Sequence, residues 1–366
     1  MKEFGVYVHV PFCGRRCDYC DFATWTDRHH LMAAYAQACV DEIVLARSHE
    51  VLPVATSVFF GGGTPSLLPA DELCRILGAI ELAEGAEVTV ECNPENVTAE
   101  LLATYRAGGV TRISLGVQSM LDHVLVNLGR EHRHGAVEEA VAAAGEARFA
   151  TFNVDLIYGA AGESDEDWLR TLEAALALSP RPPHVSAYAL TVEAGTPLWR
   201  DPARYPDEDA QARRYEIANS AFGEAGLEWY EVSNWAMPGH ECRHNQLYWE
   251  QGNYRGIGCA AHSHVDGHRF WNVRTPDRYI ALIDRCVRGG RPLVAPAMGG
   301  DEHLDPGTRA FEVLELSLRT RAGVPADALA GAGGELEGLV ENCEGRLVLT
   351  VKGRLLANEV AARLLV

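Results

Sequence analysis

The chain has 366 residues, 47% of them hydrophobic and 23% charged, which excludes a disordered or collagen-like chain and supports a buried core. Lys and Arg total 32 against 51 Asp and Glu, a net charge of −19, so the surface repels phosphate backbones and no nucleic-acid partner is expected. Lysine occurs only at Lys2 and Lys352, which removes a phosphate-loop lysine or a lysine Schiff base anywhere between them. No signal-peptide pattern and no apolar run of about 18 residues appears, so a membrane span is not expected and the expected location is cytoplasmic.

In chain order, short β-branched or aromatic runs at 6–10, 57–60, 87–91, 112–117, 151–157 and 184–190 predict strands. Alanine- and leucine-rich stretches at about 28–47, 69–84, 98–107, 119–127, 134–147 and 164–178 have helical spacing. Strand and helix alternating at this interval predict parallel βα units in an α/β fold, an open sheet or a barrel. A further helix (207–225) and strand (228–232) lead into a histidine- and aromatic-rich segment. From residue 300 the texture changes to helix and short strand, with a strand over 346–351. The expected domains are therefore a core over 1–230, a connecting segment over 231–299 and a small helical or winged-helix-like appendage over 300–366.

The first strand runs into Cys13-Gly-Arg-Arg-Cys17-Asp-Tyr-Cys20, and the remaining seven of the ten cysteines lie outside this loop. Three thiolates from one loop suit three irons of a cubane cluster and leave the fourth without a protein ligand. A structural zinc site takes four closed ligands and prefers paired Cys-x-x-Cys units. A redox Cys-x-x-Cys does not account for Cys13.

The Cys-x3-Cys-x2-Cys loop after a first strand resembles the fingerprint of the radical S-adenosylmethionine superfamily. That resemblance implies a partial (β/α)6 TIM-like barrel with a small, mostly α C-terminal domain. It also implies a [4Fe-4S] cluster on Cys13, Cys17 and Cys20, with S-adenosylmethionine chelating the open iron.

After the second strand comes Phe59-Phe60-Gly61-Gly62-Gly63-Thr64-Pro65-Ser66. Glycines let a backbone approach a ligand closely, although a plain tight turn fits this run equally well. By resemblance, Gly62, Gly63 and Thr64 receive the amino acid part of S-adenosylmethionine. Polar residues then recur at strand ends, where barrels bind ligands: Glu91, Gln118 and Asp155. Each alone is compatible with a capping or surface role. Together with Arg130, Tyr7, Tyr19 and Ala189 they match S-adenosylmethionine-contacting positions in the anaerobic coproporphyrinogen oxidase-like branch of the superfamily.

The segment 231–249 is rich in groups that contact flat aromatic ligands, and on composition alone it reads as a core loop. Its His244-Asn245-Gln-Leu-Tyr248-Trp249 run resembles the motif of the haem-chaperone group within that branch. The likeness also takes in 185–198 and 256–264, and covers most of residues 1–280. It implies haem as a bound cofactor, His244 as its iron ligand, and acceptor haemoproteins as partners, with membrane-bound respiratory enzymes among the candidates. Cys242, two residues away, competes as a thiolate ligand, and His262 and His264 are second ligands or structural. Coproporphyrinogen dehydrogenases of the branch carry a fourth cysteine two positions after the third and a longer N-terminal extension. Here position 22 is Phe22 and only twelve residues precede Cys13. These departures favour haem chaperoning over its alternative, oxygen-independent oxidative decarboxylation of coproporphyrinogen III. A zinc-stabilised binding module is the third reading.

Overall fold

The computed structural model describes residues 3–130, 134–289 and 298–364. Positions 131–133, 290–297 of the connecting segment, and the last two residues lie outside the described residues. Six strands follow the predicted βα rhythm: β1 (Gly5–Val10), β2 (Ala55–Gly62), β3 (Leu82–Cys92), β4 (Arg112–Gln118), β5 (Thr151–Tyr158) and β6 (His184–Ala189). They lie side by side in chain order and all pair in parallel. Parallel strands covered on both faces must be apolar nearly throughout, as Val6, Val8, Val10, Val88, Val90, Ile113 and Leu115 are, each fully buried. The outer helices bring their own anchors. Ser164 and Asp167 form a capping box at the start of the Asp165–Leu176 helix, which buries Trp168 completely.

The sheet continues beyond the six strands. On one side β9 (Tyr254–Ile257) joins β1 in parallel, and β10 (His262–Val265), β11 (His268–Asn272) and β12 (Met298–His303) follow antiparallel. On the other, β8 (Asn234–Ala236) and β7 (Glu228–Glu231) extend β6 antiparallel. Residues 231–272 thus contribute strands to both flanks of the main sheet. The two ends of the sheet do not pair, so the barrel is partial.

The structure adjusts two predicted boundaries. The helix expected over 69–84 ends at Ala79, because Ile80 is extended and Leu82 already pairs with Ala55. The strand expected over 346–351 ends at Leu349, where Thr350 caps a new helical turn by accepting a hydrogen bond from the Gly353 amide. A second, smaller core contains Leu318, Val324, Leu336, Leu349 and Val360. Around it lie the Pro306–Leu318 helix and a three-stranded sheet of β13 (Val324–Pro325), β14 (Val340–Cys343) and β15 (Arg346–Leu349). Among the described residues no helix is long and apolar enough to cross a membrane.

Candidate functional site

Register brings the two loops at the barrel mouth together. In the β1–β2 pairing His9 lies opposite Gly61 and Val10 opposite Gly62, so the chain leaves both strands at the same level. The Gly63 amide donates to Val10 O at 2.8 Å and the Thr64 amide to Phe12 O at 2.7 Å, strapping the glycine loop to the cysteine loop. The cysteine loop closes on itself through Trp25 N to Pro11 O (2.8 Å) and Cys13 N to Trp25 O (3.2 Å).

All three cysteines are free thiols. Burial pushes the Cys13 and Cys20 thiols up, Cys20 to about 11, and the neighbouring Cys17 sulfur raises both further. Two polar groups point at these sulfurs: Thr64 Oγ1 donates to Cys13 Sγ and Arg130 Nη1 to Cys17 Sγ, each at 3.6 Å. A multivalent cation reverses the electrostatic cost of setting three thiolates in one loop. The donor set therefore fits a cluster held by three cysteines.

The strand-end residues face the same mouth. Glu91 accepts from the Gly62 amide at 3.2 Å, and burial, reinforced by Asp155, raises its carboxyl to about 8. Asp155 is also raised by burial, and accepts from Ser114 Oγ at 2.9 Å and Asn153 Nδ2 at 2.6 Å. Arg130 donates to Gly116 O at 2.6 Å and Asn93 Oδ1 at 3.0 Å. The β4–β5 register slips between Gly116 and Gln118, and Gln118 takes a left-handed φ of +67°. Its Oε1 and the Nε of Arg130 are buried without a hydrogen-bond partner. A strained non-glycine residue and two orphaned buried polar atoms at one mouth mark a place where a polar ligand completes the structure. Tyr7 lines the same cavity, its hydroxyl sharing a 3.1 Å hydrogen bond with His9 Nδ1, and Ala189 ends β6 exposed. Tyr19 belongs to the cysteine loop, beside the Cys17 sulfur.

A Cβ at Gly62, where φ is +113°, would stand 2.4 Å from the His9 ring, and one at Gly63 would stand 2.6 Å from Phe12 O. The missing side chains make room for the neighbouring loop and His9, and the Gly62 backbone lines the mouth cavity.

The structure places His244 away from the cysteine and glycine loops. It is the second residue of the Arg243–Trp249 helix, whose first amides are capped by Glu87 of β3: Arg243 N and His244 N donate to its carboxylate at 3.2 and 3.1 Å. The ring is fully buried at the opposite, N-terminal end of β1 and β2, where Gly5 lies directly against it. Both ring nitrogens are engaged, Nδ1 with Ser57 Oγ and Nε2 with the Tyr248 hydroxyl, each at 2.8 Å, and the ring stacks on Phe59. Burial lowers its pKa to about 3, so it is a neutral core histidine. Ligating iron through either nitrogen would break the hydrogen bond that nitrogen makes. Cys242 is buried as well, and burial together with Glu87 raises its thiol. Asn245, Tyr248 and Trp249 line a second cavity of about 380 Å³, and Tyr248 lines the mouth cavity as well.

Sequence reasoning missed His9 and Asn93. His9 shares the inward face of β1 with Tyr7, two residues earlier, and that alternation was a usable signal. Asn93 follows β3 directly, at the strand-end position where Glu91 was found.

A three-cysteine loop and a glycine loop at the mouth of a partial barrel define a radical S-adenosylmethionine protein, and the superfamily model matches residues 7–175. The superfamily implies a [4Fe-4S] cluster and S-adenosylmethionine. The heme chaperone HemW of Mycobacterium tuberculosis is 42% identical over all of this chain and 95% of its own length. That of Escherichia coli is 32% identical, covering 98% and 97%. The chain belongs to the HemW heme chaperone family. The Escherichia coli coproporphyrinogen III oxidase HemN, described as a radical SAM enzyme, shares the fold at a TM-score of 0.83 and 22% identity, covering 99% of this chain and 89% of its own.

Proposed function

We propose that the chain is a haem chaperone: it binds haem as cargo and passes it to acceptor haemoproteins, while Cys13, Cys17 and Cys20 hold a [4Fe-4S] cluster with S-adenosylmethionine on its open iron. The observation that carries the reading is end-to-end similarity to heme chaperones, 42% identity with no large uncovered region on either side. The cluster and S-adenosylmethionine together supply one-electron chemistry when bound. In this reading Gln118 and Arg130 give their unpartnered atoms to the polar groups of S-adenosylmethionine. Glu91 and Asp155 supply carboxylates for its cationic groups, and Tyr7, Tyr19, Gly62, Gly63, Thr64 and Ala189 complete its walls.

The test is to titrate the cluster-reconstituted chain with ferric haem and then add an apo-haemoprotein. A stoichiometric Soret band that moves to the acceptor is expected. Failure to bind haem would overturn the proposal. Decarboxylated product from coproporphyrinogen and S-adenosylmethionine under reducing conditions would replace it with the enzyme reading.

A further inference from the structure

We infer that haem docks in the outer half of the mouth cavity, with His262 rather than His244 ligating its iron and Arg274 and Arg278 receiving its two carboxylates. The inference rests on the haem-chaperone reading above and gives that reading a place on the molecule.

The cavity at the mouth encloses about 770 Å³, twice the volume of the one lined by Trp249, and within the range that takes ligands of this size. Its inner end is Tyr7, His9, Gly62 and Glu91, already drawn into the cluster end of the site. Its outer half is lined by Phe22, His262, Trp271, Arg274, Arg278 and Met298, and of these only Phe22 adjoins the thiols, its backbone bonded to the Cys20 sulfur. This outer half offers what a flat, apolar, iron-bearing dicarboxylate requires.

His262 is the first residue of β10, directly opposite Trp271 of β11. Its exposed ring stacks on the indole with centroids 5.5 Å apart and planes at 26°, which fixes its orientation. Among the described residues neither of its ring nitrogens takes a hydrogen bond. Partial burial lowers its pKa, which keeps the imidazole neutral and its lone pair free. His244 has the opposite attributes, buried and hydrogen-bonded at both nitrogens.

The two arginines supply the complementary charge. Arg28, close by, is taken up by Asp27 and Asp277, but neither Arg274 nor Arg278 pairs with a carboxylate among the described residues. In a chain of net charge −19, two unpaired guanidinium groups at one cavity rim are a strong local exception, and guanidinium matches carboxylate geometry. Asp21, beside the cysteine loop, and Glu91 are the acids on the same cavity. Phe22 and Met298 leave 59% and 46% of their surfaces exposed, an apolar cost that covering a macrocycle would repay.

The test uses the full chain with its cluster reconstituted, titrated with ferric haem and, separately, with haem dimethyl ester, whose carboxylates are blocked. His262→Ala should weaken haem binding at least about tenfold and change the Soret and ligand-field bands, with added imidazole restoring them. The double variant Arg274→Ala/Arg278→Ala should lose several-fold affinity for haem but little for the dimethyl ester. Both variants alter exposed side chains, and unchanged cluster absorbance checks that they fold. A wild-type Soret band and affinity in His262→Ala would overturn this inference while leaving the chaperone reading standing, as would a loss confined to S-adenosylmethionine binding. A wild-type chain that binds no haem would overturn both.

Discussion

At the mouth of the barrel Gln118 and Arg130 each keep a buried polar atom without a partner, and Gln118 is held in a left-handed conformation. At the floor, His244 has both nitrogens bonded, its backbone amide capped by Glu87 and its ring packed between Gly5 and Phe59. Both regions carry residues that a motif reading assigns to ligands. The difference lies in satisfaction: a folded chain tolerates an orphaned polar atom only where something else will meet it, whereas a satisfied network stabilises the fold and needs no visitor. Satisfaction therefore separates binding residues from structural ones where motif membership does not.

The contrast breaks most visibly at the cysteines. Replacing any one of Cys13, Cys17 or Cys20 with Ser should abolish the cluster, since the three thiols come from one loop and no other cysteine belongs to it. Iron and sulfide content with visible absorbance checks this, and full retention in any of the three would contradict the site. At the floor the expectation inverts. His244→Ala should cost about 3 kcal/mol of stability, because it opens a cavity and strands the hydroxyls of Ser57 and Tyr248. Chemical denaturation measures it, and a loss below about 0.5 kcal/mol, the range of neutral surface changes, would show that the ring is not structural.

The parallel core, the cysteine loop and the strand-end polar residues could all be read in the sequence, because each depends on local pattern: apolar runs, spacing within a loop, and polar residues where strands stop. What could not be read depends on chain-distant pairing. The engagement of His244 needs Ser57 from β2 and Glu87 from β3, 187 and 157 residues away. The free state of His262 follows from its pairing with Trp271 across a hairpin. The use of Gly62 is set by His9, which register alone places against it.

A smaller effect lies in pH dependence at the mouth. Glu91 titrates near 8 in the folded chain against about 4.5 when free, mainly through burial and then through Asp155. The folded state therefore holds its proton where the unfolded state has lost it. The stability linked to this group is fully present below about pH 4.5 and is lost as pH rises towards about 8. Glu91→Gln keeps an acceptor for the Gly62 amide and removes the titration. Stability curves of wild type and variant at pH 5 to 8 should diverge by up to about 1.4 kcal/mol per unit as pH rises, the variant being the more stable. Glu163 and Glu231, both raised to about 7 by burial, titrate in each protein and cancel in the difference. Parallel curves would mean that Glu91 is ionised in the folded chain.

The smallest change sharpens the comparison furthest. Gln118 stands at a register slip with φ of +67°, a conformation that costs a non-glycine residue about 1 kcal/mol, and its Oε1 is desolvated without a partner. Glycine adopts the same backbone without strain and carries no amide to satisfy. Gln118→Gly should therefore raise the stability of the ligand-free chain by about 1 kcal/mol, less whatever glycine adds to the entropy of the unfolded chain. The same substitution should weaken S-adenosylmethionine binding by about tenfold, a loss of about 1.4 kcal/mol, because it removes a group offered to the ligand. Denaturant midpoints with and without S-adenosylmethionine measure both effects on one protein. A variant less stable than wild type in both conditions would show that Gln118 supports the fold as His244 does, and the two regions would no longer differ in kind.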